Sequence, residues 1–274
     1  MNSKPNNMSY KEEIENFVVK GFKNNNILLI TDNKHNFVLK NRTKNFITTP
    51  PKDFEYHRWA GSLKSSQAFA YNVFSGVNSK TLEFEFHMEV FDRDAQIDVM
   101  LNNETTNTIE LFEVKAVEII QLGKNKIDFK EKYFDKTQYR CPAISDPFIK
   151  FLEKVKISFD DKKIYGGGVK QLCSHLLGII NIMNKSEYVN KKFKLYSFCF
   201  DNPFSTRFEQ DLTNYKETIA KFKKIVDEFL KDIKVNERVE YFGFLSASEY
   251  INKNEEFLGE ENYNYVVKRY FYKY

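Results

Sequence analysis

The chain has 274 residues, 42% hydrophobic and 29% charged, enough for one domain with a full core and typical of an ordinary globular protein. It carries no uninterrupted apolar window of about 18 residues and no apolar signal core in MNSKPNNMSYKEEIE, which argues against a membrane span or a secreted precursor and makes the cytoplasm the expected location. The net charge is only +4, but Lys and Arg number 17 against nine Asp and Glu over residues 114–200, whereas acids outnumber bases by two on either side of that stretch. A basic middle of this kind suits a polyanionic partner, a solvated lysine-rich surface being the alternative. The three cysteines, Cys141, Cys173 and Cys199, are odd in number and lie in or beside apolar runs, so they read as reduced core or loop residues. The sequence has no P-loop, G-x-G-x-x-G, heptad array or internal repeat, which argues against a nucleotide-cofactor enzyme.

Residues 1–8 read as disordered. A helix is predicted over Tyr10–Phe22, with Ile14, Phe17, Val18 and Phe22 on one side. Short strands are predicted at Asn26–Ile30 and Asn36–Lys40, and Thr48-Thr-Pro-Pro51 breaks the chain before the core. In this flank Lys40, Arg42 and Lys44 are candidate phosphate contacts, a plain polar loop being the alternative. The next helix is predicted over about Gly61–Phe74, with Leu63, Gln67, Ala70, Phe74 and Val77 on its stripe. Gln67 interrupts an apolar face; it either pins the helix to a sheet or points into a site.

Thr81–Phe91 alternates Leu82, Phe84, Phe86 and Met88 with Glu83, Glu85, His87 and Glu89, the pattern of a half-exposed strand. Asp92-Arg-Asp94 forms a turn. Then comes a hairpin: Ile97, Val99 and Leu101 alternate with Asp98 and Met100, the polar run Asn102–Asn107 turns, and Ile109–Val117 is the return strand. By the two-residue strand period Glu113 and Lys115 share a face, and Asp98 is able to converge with them. Gly123–Lys163 is a long polar insertion, expected as a recognition loop or lid or as a surface helix over Pro147–Lys156. Gly166-Gly-Gly168 leads into a helix whose stripe is Leu172, Leu176, Ile179, Ile180 and Met183, with Lys170, Gln171 and His175 off that stripe near its start. A strand over Lys191–Asp201 belongs inside the sheet. A long helix over Thr206–Lys234, a strand over Val239–Leu245, a helix from Ser246 and an aromatic end, Tyr263–Tyr274, complete the chain.

Two carboxylates and an ammonium on one sheet face suit phosphodiester hydrolysis. Hard oxygen ligands hold a magnesium-type cation that activates water, and a neighbouring lysine orients that water or offsets charge on the phosphate. The spacing D-x14-E-x-K, with the helix SLKSSQAFAYNVFSG before it and GGGVKQLCSHLLGIINIMN after it, resembles the PD-(D/E)XK nuclease superfamily, the restriction-endonuclease-like fold. The likeness covers about Trp59–Asp201, with the order α-β-β-β-α-β. It implies an α/β restriction-endonuclease-like core (αβββαβ, a central mixed sheet flanked by helices) over 59–201, an N-terminal flank over 1–58 and a C-terminal elaboration over 202–274. It further implies Asp98 and Glu113, with the Val114 carbonyl, as ligands for Mg²⁺ or Mn²⁺, and Lys115 as the residue that positions water. Gln67, Lys170, Gln171 and His175 are then substrate contacts or lie just behind the ligands.

Ser65, Ser66, Gln67 and Asn72 look like the SSQAxxxN pattern of restriction-endonuclease-like proteins, and Gln171 and His175 resemble a Q-x3-Y element with His for Tyr. Ile97 replaces the usual proline before the aspartate, and the Gly61–Phe74 helix lacks the glutamate that many members place there, leaving the metal count open. Asp92 and Asp94 are rivals of Asp98. The expected function is a metal-dependent DNA endonuclease acting on double-stranded DNA, restriction-like, without a membrane and with a homodimer as an option. The alternatives are a repair or recombination nuclease and a catalytically silent DNA-binding module on the same fold.

Overall fold

The structure is a computed structural model that describes residues 8–26, 31–32, 35–77, 81–117, 127–159 and 168–273. The start of the chain at 1–7, most of the strand expected over 26–30, parts of the 123–163 insertion, Gly166 and Gly167, and the terminal Tyr274 lie outside the described residues. Helix α1 runs over Tyr10–Lys23, closed at its start by a Ser9–Glu12 capping box, and buries the expected Ile14, Phe17, Val18 and Phe22. Strands β1, Thr31–Asp32, and β2, His35–Leu39, form a small antiparallel pair.

Helix α2 covers only Ser66–Phe74, starting later than the periodicity predicts. The reason is local: Leu39 N–H donates to the Gly61 carbonyl and Leu63 N–H to the Phe37 carbonyl, both at 2.9 Å, so residues 61–63 are spent on β2. The Ser65 side chain then caps the helix by accepting the Ala68 N–H.

Five strands form one mixed sheet in the order β3 (Leu82–Glu89), β4 (Asp94–Asn103), β5 (Thr108–Lys115), β6 (Lys192–Cys199) and β7 (Val239–Ser246). The first three are antiparallel and β5, β6 and β7 are parallel. Parallel neighbours need crossovers. The β5–β6 crossover includes α3 (Pro142–Ser158) and α4 (Val169–Ile182), and the β6–β7 crossover is α5 (Thr206–Asp232). The insertion is therefore not a plain polar loop: α3 begins at Pro142, ahead of the expected Pro147, and buries Phe148, Leu152 and Val155 completely. The C-terminal part of the chain supplies a strand to the same sheet and then α6 (Ala247–Lys253), α7 (Glu255–Leu258) and α8 (Glu260–Tyr270).

The helices cover both faces, giving three layers. On one face Phe74 of α2 and Tyr250 of α6 pack on Phe112, ring centroids 5.0 and 5.7 Å away, and Tyr270 of α8 packs on Phe69. On the other lie α4 and α5, with Phe222 against Tyr241 of β7; α3 packs outside α5 through Phe151 and Phe229, 4.6 Å apart. Each fully buried ring contributes about 1.5–3 kcal/mol, so the stripes that set the helical periods also hold the layers together. Among the described residues no helix is long and apolar enough to cross a membrane.

Candidate active site

The hairpin brings the sequence-predicted carboxylates together. The β4–β5 register runs from Asn103↔Thr108 to Val99↔Phe112, and one further step sets Asp98 opposite Glu113. There the ladder ends. The Asp98 carboxylate, through Oδ2, accepts the Val114 N–H at 2.6 Å, so a side chain stands where a strand carbonyl would otherwise accept. Continuing across the sheet, Glu113 pairs with Ser197 of β6, whose hydroxyl is 2.8 Å from that of Tyr241.

Glu113 and Lys115 share a face, as their spacing predicts, and both are almost closed to solvent at 2% and 6% exposure. The Lys115 ammonium donates to Glu113 Oε1 and, at 3.1 Å, to Gln171 Oε1. His175, itself 3% exposed, sets Nε2 at 2.7 Å from Glu113 Oε2. Gln171 and His175 are one helical turn apart on α4, so a single helix face positions both partners of the Glu113–Lys115 pair. That helix begins at Gly168, whose φ of 84° is a left-handed conformation open to glycine at no steric cost. Lys170 is not brought to the cluster: among the described residues its side chain has no bond to these carboxylates, while its carbonyl accepts the Ser174 hydroxyl.

A third carboxylate stands beside them. The β3–β4 register, Phe84↔Val99 and Phe86↔Ile97, places Glu85 opposite Asp98. Its φ of 54° is left-handed, a strained state for glutamate that persists only where the surroundings enforce it. The consequence is a change of phase in β3. Phe84 packs on Tyr71 of α2, centroids 5.0 Å apart, yet Met88, four residues on, faces α4 so closely that a Cβ added to Gly178 would lie 2.7 Å from Met88 Cβ. In an unbroken strand those two residues share a face. Glu85 is left buried, 7% exposed, accepting from Gln67 Nε2 at 2.8 Å and lying 3.1 Å from His57 Nε2. Gln67 also donates to the Glu55 carbonyl at 2.7 Å and accepts the His57 N–H at 2.9 Å. Gln67 thus ties α2 to the sheet through Glu85 of β3 and also holds the Glu55–His57 loop.

The charges set the proton affinities. Burial first, and the Glu113 charge second, push the Asp98 carboxyl well above the usual carboxylate range, with Glu85 adding to the effect and Lys115 opposing it. Burial also works to raise Glu113, but the Lys115 ammonium and then His175 outweigh it and hold Glu113 at about 2. His57 is raised, chiefly by its hydrogen bond to Glu85, against a smaller opposing effect of burial. Asp98 is therefore the group short of positive charge. The rivals lie elsewhere: Asp92 pairs with Lys132, and Asp94 lies 3.4 Å from His87 Nδ1.

The donor set suits a hard cation in its chemistry: the Lys115 charge only partly offsets what raises Asp98, and among the described residues only the Val114 N–H donates to it. Its partner Glu113 has both oxygens engaged, and no group of three or more His, Cys, Asp or Glu is gathered about a metal position among the described residues. The set is thus two carboxylates and a main-chain carbonyl, with Glu85 held back by Gln67 and His57. A cavity of about 560 Å³ opens beside Glu85, lined also by Phe54, Tyr71, Phe84, Glu55 and Glu83. Four of its lining residues, Asp53, Glu55, Glu83 and Glu85, are acids.

Glu85 and His57 were not legible as site residues. Glu85 lies within a regular apolar–polar alternation, which reads as a wet strand face, and only the paired register and the left-handed φ reveal it. His57 comes from a loop with no local signal. Comparison of the chain with family models, with curated proteins and with solved structures returns no match.

Proposed function

We propose that the protein is a metal-dependent phosphodiesterase that cleaves DNA, similar in its chemistry to the PD-(D/E)XK nucleases, with Asp98, Glu113 and Lys115 as its working groups. The observation that carries this reading is the convergence of those three side chains, Glu113 and Lys115 buried and Asp98 half-buried, at the point where β4 and β5 part. Mg²⁺ or Mn²⁺ held by Asp98, Glu113 and the Val114 carbonyl would supply a bound water of lowered pKa and neutralise charge growing on the phosphate.

The chain's own groups do the rest. Lys115, steadied by Gln171, directs an N–H toward the attacking water or the phosphate oxygen. His175 fixes the orientation of Glu113. Gln67 and His57 hold Glu85 beside Asp98, so that the cluster stays short of positive charge until a cation arrives. Hydrolysis forms one P–O bond from water and breaks the bond to one bridging sugar oxygen, leaving a phosphate monoester and a hydroxyl. A restriction-like role follows from the resemblance, with repair or recombination as the alternative biology.

A silent DNA-binding module is the second reading, favoured by the engagement of both Glu113 oxygens. Incubating the pure protein with varied DNA duplexes, with and without millimolar Mg²⁺ or Mn²⁺, and sequencing the ends separates the two. Metal-dependent ends support the nuclease. Intact DNA throughout, together with binding, supports the module.

A further inference from the structure

We propose that Phe37–Lys64 is a nucleic-acid clamp that stacks an unpaired base on Trp59 beside the carboxylate cluster. The inference rests on the nuclease reading and narrows its substrate to strands with an unstacked nucleotide near the cut, such as a single strand, a flap or a frayed end.

The stretch is a closed and supported loop. Its ends are joined by the Val38↔Ser62 bridge, and Asn45 Nδ2 donates to the Ala60 and Ser62 carbonyls at 2.7 Å each. Phe46 packs edge-on against Phe54, Tyr56 and Tyr71 at 5.4–5.7 Å. A surface held this way loses little freedom when a ligand arrives.

Its charge is concentrated. Lys40, Arg42, Lys44, Lys52, Arg58 and Lys64 stand against Asp53 and Glu55, so this short stretch carries four net positive charges, as many as the whole chain. The cations alternate with rings: Arg42 lies 4.2 Å over Tyr56, Arg58 5.3 Å over Trp59 and Lys64 4.4 Å over Phe37. Basic groups that track a backbone, interleaved with aromatic platforms, are what sequence-tolerant binding of single strands requires. Trp59 is the chain's one tryptophan and is 54% exposed.

The loop is also tied to the site. His57, two residues before Trp59, reaches Glu85 with its ring and Gln67 with its N–H. Two residues span at most about 7 Å, so the Trp59 backbone stays within about that distance of the His57 backbone. A base stacked on Trp59 therefore lies on the same loop whose His57 ring reaches Glu85. Inside a duplex both faces of a base are covered by its neighbours, so an indole stacks only where a face is open.

The single tryptophan makes the test direct. The full-length chain, kept in EDTA so that nothing is cut, is titrated with a single-stranded oligo(dT), a blunt hairpin duplex of equal length and heparin, while Trp59 emission is followed. We expect quenching by the single strand, weaker binding of the duplex by at least tenfold, and little quenching by heparin, which has charge and no bases. Trp59→Ala should lose roughly ten- to hundredfold in single-strand affinity, read by anisotropy of a labelled strand, and Trp59→Phe should recover most of it. The proposal is overturned by unchanged emission on binding, by Trp59→Ala binding like wild type, or by duplex and single strand binding alike. Binding is read without cleavage, so stacking without any nuclease activity sinks only the nuclease reading, and cleavage without stacking sinks only this one.

Discussion

The Asp98 carboxylate accepts the Val114 N–H at 2.6 Å, and this one bond makes the site out of a hairpin. By taking over the partner of a β5 amide it lets β4 leave the ladder after Val99↔Phe112 without stranding a buried donor, which would cost about 1–3 kcal/mol. The same bond fixes the carboxylate next to Glu113. Substitution by Ala should therefore both unpair the amide and empty the site, whereas Asn keeps an acceptor in place.

Lys115→Ala is expected to abolish metal-dependent cleavage, but the structure adds a stability cost that the sequence did not foretell. The ammonium is buried against Glu113, and removing one partner of a buried pair costs about 3–5 kcal/mol. The pair Lys115→Met with Glu113→Gln leaves no unpaired charge and should recover most of that loss while staying inactive. Urea unfolding of the wild type and the two variants checks this; equal stability of Lys115→Ala and wild type would mean that the pair is open to water.

Gln67→Leu keeps the helix stripe apolar but removes the bonds to Glu85, the Glu55 carbonyl and the His57 N–H. A loss of about 2–4 kcal/mol is expected from the buried groups left unsatisfied, together with faster amide exchange at His57–Trp59. Exchange that stays as slow as in wild type would show that the aromatic cluster alone holds that loop.

How much of this was readable follows from where period and burial agree. The stripes of α1 and α4 and the alternation of β4 predicted their cores because each element keeps one phase along its length. Asp98, Glu113 and Lys115 came from the same rule. The rule failed where the backbone changes phase, at Glu85, and where a distant segment competes, as β2 does for residues 61–63 ahead of α2. His175 was placed off the apolar stripe, yet it is buried because Glu113, not a core side chain, is its partner. No local pattern encodes that pairing.

Binding of nucleic acid should weaken with salt. Each phosphate neutralised releases a counterion, giving a log–log slope of about −0.7 per contact for a single strand and about −0.9 for a duplex. Arg42→Gln and Lys44→Gln should each make the slope shallower by about one contact, measured by anisotropy in EDTA between low and moderate salt. A flat response in the wild type would remove nucleic acid as the partner.

The metal decides between enzyme and module, and Asp98→Asn is the probe. Asp98 binds its proton more tightly in the folded chain than in the unfolded one, because burial and the Glu113 charge disfavour its ionised form. The sign follows: its contribution is fully present below the unfolded value near 3.9 and is lost as pH rises through the higher folded value. Metal-free wild type should thus lose stability from this group as pH climbs above about 4. Asn has no proton to lose and still accepts the Val114 N–H, so the variant should lack that loss and, in EDTA, its advantage over wild type should grow with pH. Glu113 acts in the opposite sense, its stabilisation present above the unfolded value near 4.3 and lost as pH falls toward about 2, below nearly all of the range tested. A divalent cation supplies the missing charge, so millimolar Mg²⁺ or Mn²⁺ should raise the wild-type Tm, by the linkage of ligand to the folded state, and close the gap. Thermal unfolding of both proteins across pH 4–8, with EDTA and with metal, reads all of this at once. A metal response of equal size in Asp98→Asn would leave Asp98 as a strand-parting residue and nothing more.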